Sequence, residues 1–116
     1  MKTELSTFLV RQGKEVRARE WMAVLVSRQA ACVDTLAREK MVIESVFMLE
    51  QAGRLYLTWY SVQKPGHETP VSSGHDVDRE HVSFWQECVE EEVADYQHAV
   101  SFVPGELNKA MDKLYT

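Results

Sequence analysis

The spacing of apolar residues changes along the chain, and each change marks an element. From Met41 to Val62 the sequence MVIESVFMLEQAGRLYLTWYSV alternates, as strands do. Two runs rich in Val, Ile, Phe, Tyr and Trp flank a polar turn, Glu50 to Arg54, so the stretch predicts a β-hairpin. Gly53 supplies the positive φ that a hairpin loop of about three to five residues needs. Ile43, Phe47 and Leu49 alternate against Val42, Val46 and Met48; Leu55, Leu57 and Trp59 alternate against Tyr56, Tyr60 and Val62. Large apolar groups thus fall on both faces, whereas a sheet with one wet face shows cleaner polar alternation. The hairpin is expected to be covered on both sides, by helices on one and by another subunit on the other.

Thr3 to Gln12 predicts a first strand, ended by Gly13. Lys14 to Ala37 carries Ala18, Trp21, Met22, Leu25, Cys32, Val33 and Leu36 at three- and four-residue spacing, which predicts one long amphipathic helix. After the hairpin, QKPGHETPVSSGH (63–75) has the Pro, Gly and Ser content of an irregular segment, a mobile connection or a lid. Asp76 to Glu91 predicts a second helix with Val82, Trp85, Cys88 and Val89 buried and Asp76 or Asp78 capping its start. Val93 to Val103 alternates as a fourth strand until Pro104-Gly105, and Glu106 to Tyr115 predicts a terminal helix.

Strand, helix, strand, strand, helix, strand and a tail helix is the α+β order βαββαβ of a ferredoxin-like domain. The chain is expected to be one domain, with a core over 3–103 and a helical tail over 105–116. That fold keeps its helices on one sheet face. The apolar residues on the other face predict a homodimer.

Composition narrows the function classes. A net charge of −5 without a dense Lys/Arg stripe argues against a nucleic-acid partner. No apolar run approaches the ~18 residues of a membrane span, and MKTELSTFLV is too short an apolar stretch for a signal peptide, so a cytoplasmic location is expected. Cys32 and Cys88 stand far apart among apolar neighbours and read as buried reduced thiols.

The segments REWMAVLVSRQAACVDTLAREKMVIESVF, LYLTWYSVQ and HDVDREHVSFWQECVE resemble a small uncharacterised bacterial domain family. That family looks like a member of the dimeric α+β-barrel superfamily, which also holds antibiotic-biosynthesis-type and haem-degrading monooxygenases. The resemblance, over roughly Leu5 to Val103, implies fold and dimer but no reaction. Haem-degrading members use a strand asparagine, a tryptophan and a helix histidine. Here His81 with Trp59 or Trp85 loosely matches two of these, but the one asparagine is Asn108, in the tail.

Among candidate reacting groups, His81 stands one helical turn from Trp85 and suits acid–base chemistry near pH 7. Trp59, Tyr60, Trp85 and His75 are the candidate ligand-binding residues, walling a pocket for a flat organic molecule. His67, His75 and His81 with nearby carboxylates have the right types for a metal, but their spacing matches no signature, so neither metal nor cofactor is expected. Two readings follow. In one, a small aromatic or quinone-like compound is bound or transformed between sheet and helices. In the other, the aromatics build only core and interface, and the protein has a non-catalytic structural or interaction role.

Overall fold

The hairpin forms as the alternation predicts. In the computed structural model, which describes residues 1–66 and 76–116, β2 (Met41–Gln51) and β3 (Arg54–Gln63) pair antiparallel. Their turn is tighter than expected. Ala52 and Gly53 both take positive φ, 53° and 75°, and Gln51 pairs with Arg54. This is the two-residue pattern whose twist suits a hairpin. One irregularity lies at the other end. Met41 pairs with Gln63 but Ile43 with Val62, so Val42 is an extra residue that bulges.

β1 (Lys2–Val10) pairs antiparallel with β3, and β4 (Val89–Asp95) pairs antiparallel with β1, giving the order β2-β3-β1-β4. β1 and β2 therefore run the same way with β3 between them, and β3 and β4 do so with β1 between them. The helices that make these crossings are α1 (Glu15–Ser27), α2 (Gln29–Glu39) and α3 (Asp76–Cys88). A fourth helix, α4 (Gly105–Lys113), ends the chain. The result is an α+β domain with, among the described residues, one antiparallel sheet and four helices.

Three boundaries differ from expectation. The long helix breaks at Arg28, whose φ and ψ are −106° and 28°. The Ser27 hydroxyl donates back to the Val24 carbonyl at 2.9 Å, a local bond that competes with the helical ladder. Arg28 then reaches Glu80 on α3 at 3.0 Å, which holds the bend. The second helix stops at Cys88, and β4 begins at once. The fourth strand therefore lies earlier than the Val93–Val103 alternation predicts, and 96–104 holds no strand or helix. Against β1, the register of β4 shifts between Thr7 and Phe8 and again between Leu9 and Val10. Each shift inserts a residue and reverses the parity of those after it, so a period of two cannot be read through this strand. The expected 63–75 loop is described only to Gly66; the rest, with His67 and His75, lies outside the described residues.

The core sits between the helices and one face of the sheet. Val10, Leu55 and Leu57 meet Ala18 and Trp21 of α1, Phe84 and Cys88 of α3, and Val89. The other face keeps Ile43, Phe47 and Leu49 exposed, at 41, 59 and 49%. Thr7, Leu9 and Val62 on that face are buried. The tail is tied to one end of the hairpin: Lys64 Nζ donates to the Asp112 carbonyl at 2.8 Å, and the Tyr115 hydroxyl to the Met41 carbonyl at 2.8 Å.

Candidate functional site

The site grows out of the aromatic content of the helix-side sheet face. Cross-strand register sets Ser6, Trp59 and Val46 in one row and Glu4, Ser61 and Glu44 in the next. The sheet floor thus changes from apolar (Leu55, Leu57) to polar towards the end of β3. Above that boundary α3 places His81 and Trp85 one turn apart, and α1 places Trp21 behind them.

Trp21 is completely buried and central. Its ring lies 5.6 Å from Trp59, 5.3 Å from His81, 5.8 Å from Trp85 and, stacked, 6.2 Å from Phe84. Trp59 and Trp85 meet edge to face at 5.4 Å, and Trp59 stands 5.5 Å from His81. All three tryptophans of the chain and His81 therefore form one cluster.

Hydrogen bonds fix the chemistry of this cluster. Trp21 Nε1 donates to His81 Nδ1 at 3.1 Å. An indole N–H can only donate, so Nδ1 must accept, and the neutral ring carries its proton on Nε2. Burial pushes the His81 pKa down to about 4, although Asp78 nearby favours the charged form. At neutral pH His81 is thus an uncharged imidazole of one tautomer, with Nε2–H left to donate. On the opposite wall Trp59 Nε1 donates to Glu44 Oε2 at 3.1 Å.

Two cavities open beside the cluster, each of about 330 Å³. One lies between α2 and the sheet, beside Leu25, Cys32, Leu36 and Glu39; the other lies between β1 and α3, beside Ser6, Phe8, Ser61 and Trp85. Glu44, Trp59 and His81 line both. They form the partition at which the cavities meet. Such volumes fall at the small end of ligand pockets, roughly 300–1,000 Å³.

The carboxyls of the first cavity are held together by the turn that links α2 to β2. Lys40, in the left-handed conformation at φ 56°, reverses the chain between Glu39 and Glu44. Glu39 is buried, and its pKa rises to about 7, chiefly through loss of water and then through the charges of Glu44 and Asp78. Glu44 reaches solvent through the cavity mouth, but protein crowds its carboxyl. That desolvation raises its pKa against the Trp59 N–H, which favours the charged form. Asp78 is buried and paired with Arg38. Among the described residues, no three His, Cys, Asp or Glu side chains are grouped to hold a metal ion.

Of the residues expected to meet a ligand, His81, Trp59 and Trp85 come together. Tyr60 does not join them: next to Trp59 in an extended strand, it points to the opposite face, into a recess shared with Leu5 and Tyr96. His75 lies outside the described residues. His98, expected on the fourth strand, is exposed beyond it and meets the Ser101 hydroxyl at 2.8 Å. Cys32 and Cys88 are free thiols, Cys88 buried and Cys32 half-buried at the first cavity.

Trp21, Glu39 and Glu44 belong to the site and are absent from the sequence-based candidates. Glu44 had a visible signal: it shares parity with Val46 and Met48, so a carboxylate falls on an apolar face. Trp21 had a weaker one, since an indole in a buried stripe needs an acceptor.

The site defines a small α+β domain with an aromatic-walled cleft between helices and sheet and no metal-ligating cluster among its described residues. Over residues 1–109 the chain matches the family of unknown function DUF6176, and it belongs to that family. Searches of curated proteins and of solved structures found no match. Among the described residues, no helix is long and apolar enough to cross a membrane.

Proposed function

We propose that the protein binds, and transforms, a small flat uncharged compound, aromatic or quinone-like, in the cleft between sheet and helices. The observation that carries this reading is the partition of Glu44, Trp59 and His81 between two cavities, with His81 held as a neutral donor. Indole faces supply flat apolar walls, and Nε2–H supplies a directional contact to a ligand oxygen. A purely structural role predicts aromatics packed without voids, and the cavities weigh against it.

The working unit in this reading is a cytoplasmic homodimer of ferredoxin-like subunits, formed as a dimeric α+β barrel. The strand order β2-β3-β1-β4 with α1, α2 and α3 on one face supports it, as do exposed Ile43, Phe47 and Leu49 on the other face. Phe102, 91% exposed, adds apolar surface in the segment before α4.

Native mass spectrometry of freshly purified protein tests both parts. The expected result is a mass near twice 13.4 kDa carrying a small organic adduct, or one that accepts 1,4-naphthoquinone with quenching of tryptophan fluorescence. A monomer that neither retains nor takes up a flat compound overturns the proposal.

A further inference from the structure

We propose, resting on the ligand-binding reading above, that Glu44 is the general base and His81 the hydrogen-bond donor of a proton-transfer reaction on a neutral cyclic ketone, an enolisation or double-bond shift. Glu44 is tethered through Oε2 to the Trp59 indole, which fixes the carboxylate and leaves Oε1 for a substrate proton. His81, across the same partition, is fixed from behind by Trp21, which leaves Nε2–H for a carbonyl oxygen. An acceptor and a donor thus face one cleft, as removal of a proton next to a carbonyl requires.

The step balances without a co-reactant. Glu44 takes the proton from the carbon beside the carbonyl. The C–H electron pair becomes the new C=C bond, and the carbonyl π pair moves onto oxygen. Nε2–H of His81 stabilises that enolate oxygen by hydrogen bonding. The proton on Glu44 is either replaced by one from solvent, which is then delivered to the same carbon and gives exchange, or passed to a carbon further along a conjugated system, which gives isomerisation. The raised pKa of Glu44 brings a carboxylate nearer the basicity this step needs.

The surroundings set the substrate class. Glu44 lines both cavities and Glu39 the first, whereas Asp78 and Glu4 are paired with Arg38 and Lys2. An anionic keto acid meets repulsion there. A neutral fused-ring ketone rests in the second cavity against Phe8, Trp59 and Trp85, with its carbonyl towards His81.

The test uses 2-tetralone, a neutral two-ring ketone with acidic hydrogens at C1. Its C1 hydrogen–deuterium exchange in D₂O is followed by NMR with wild-type protein, Glu44→Gln and His81→Gln, and binding is measured separately by tryptophan fluorescence. The expected result is exchange accelerated by the wild type, lowered at least 100-fold by Glu44→Gln with binding retained, and lowered about 10-fold or more by His81→Gln. Binding without accelerated exchange overturns the proton-transfer inference and leaves the ligand-binding reading standing. Exchange unchanged in a folded Glu44→Gln variant overturns the assignment of the base. Absence of any binding by 2-tetralone sinks this inference, and absence of naphthoquinone binding as well sinks the reading beneath it.

Discussion

Trp21 Nε1 donates to His81 Nδ1 across 3.1 Å, joining the fully buried centre of α1 to the cavity wall on α3. The bond does two things. It satisfies an indole N–H that has no access to water, and it selects the imidazole tautomer.

Replacing Trp21 by Phe keeps an aromatic core but removes the donor and leaves a void. The expected cost is about 2–4 kcal/mol, combining the lost hydrogen bond and the smaller ring. Denaturant unfolding measures it. The more diagnostic outcome is spectroscopic. With Nδ1 freed, the two ring nitrogens share the proton, and the imidazole ¹⁵N shifts move towards those of a tautomer mixture. Unchanged shifts would show that burial alone sets the tautomer.

Stability should depend on pH through two opposed groups. The His81 pKa is lowered to about 4 in the folded chain, from an ordinary value of 6.5. Between these values the unfolded chain binds the extra proton, so His81 stabilises above 6.5 and its contribution is lost as pH falls towards 4. The Glu39 pKa is raised to about 7 from 4.5. Over that window the folded chain binds the extra proton, so stability is lost as pH rises. Where the windows overlap the two slopes cancel, and Glu44, shifted up as well, adds to the side of Glu39. Glu39→Gln should remove the Glu39 part of that compensation and leave only that of Glu44. The variant should lose stability on acidification from pH 6.5 by an amount approaching ~1.4 kcal/mol per pH unit, with a shallower slope in the wild type. Urea melts across pH 4.5–7.5 report it; parallel profiles for the two proteins would refute the opposition.

The exposed sheet face gives a prediction about assembly. Phe47 stands 59% exposed on β2, opposite Thr58. In a monomer, Phe47→Asp changes a surface position and should cost no more than about 0.5–1 kcal/mol. In a dimer joined through this face it buries an unpaired charge. Sedimentation at micromolar concentration should show the wild type near twice 13.4 kDa and the variant at the monomer mass. Equal masses would place the contact elsewhere or remove it.

Most of the architecture was legible because β3 and α3 bury residues at their own period, Leu55 and Leu57 in the strand and Phe84 and Cys88 in the helix. The hairpin's two apolar faces were visible in Phe47 and Leu49 against Val46 and Met48. Legibility failed where one residue carried two demands. Ser27 reads as an ordinary polar helix position, yet α1 ends there, with the Ser27 hydroxyl bonded back to the Val24 carbonyl. The bulges opposite β1 erased the alternation of β4, so a regular pattern further on, from Val93 to Val103, drew the prediction too far. At the site, composition pointed to Trp59, His81 and Trp85. It could not show that Trp21 and Glu44 complete them, because those contacts depend on how α1 and β2 are placed across the sheet. Tyr60 failed for a simpler reason: strand parity already separates it from Trp59, and only a pocket at the strand's end would have joined them.

The hairpin turn offers a gain rather than a loss. Ala52 holds φ at 53°, where its Cβ crowds the following carbonyl at a cost of roughly 1–2 kcal/mol. Gly53 beside it has no such penalty at 75°. Two-residue hairpin turns with both φ positive favour Asn-Gly, because the Asn side chain tolerates the left-handed region. Ala52→Asn should therefore stabilise the protein by about 0.5–1 kcal/mol, raising Tm by several degrees for a domain of this size. Ala52→Gly should gain less, since glycine also frees the unfolded chain. The ranking Asn above Gly above Ala in thermal melts is the signature of the turn. Destabilisation by Asn would mean that Gln51 and Arg54 do not close the hairpin as a pair. Because the turn lies at the apolar end of the sheet, away from the Glu44–His81 partition, ligand binding should be unchanged in both variants.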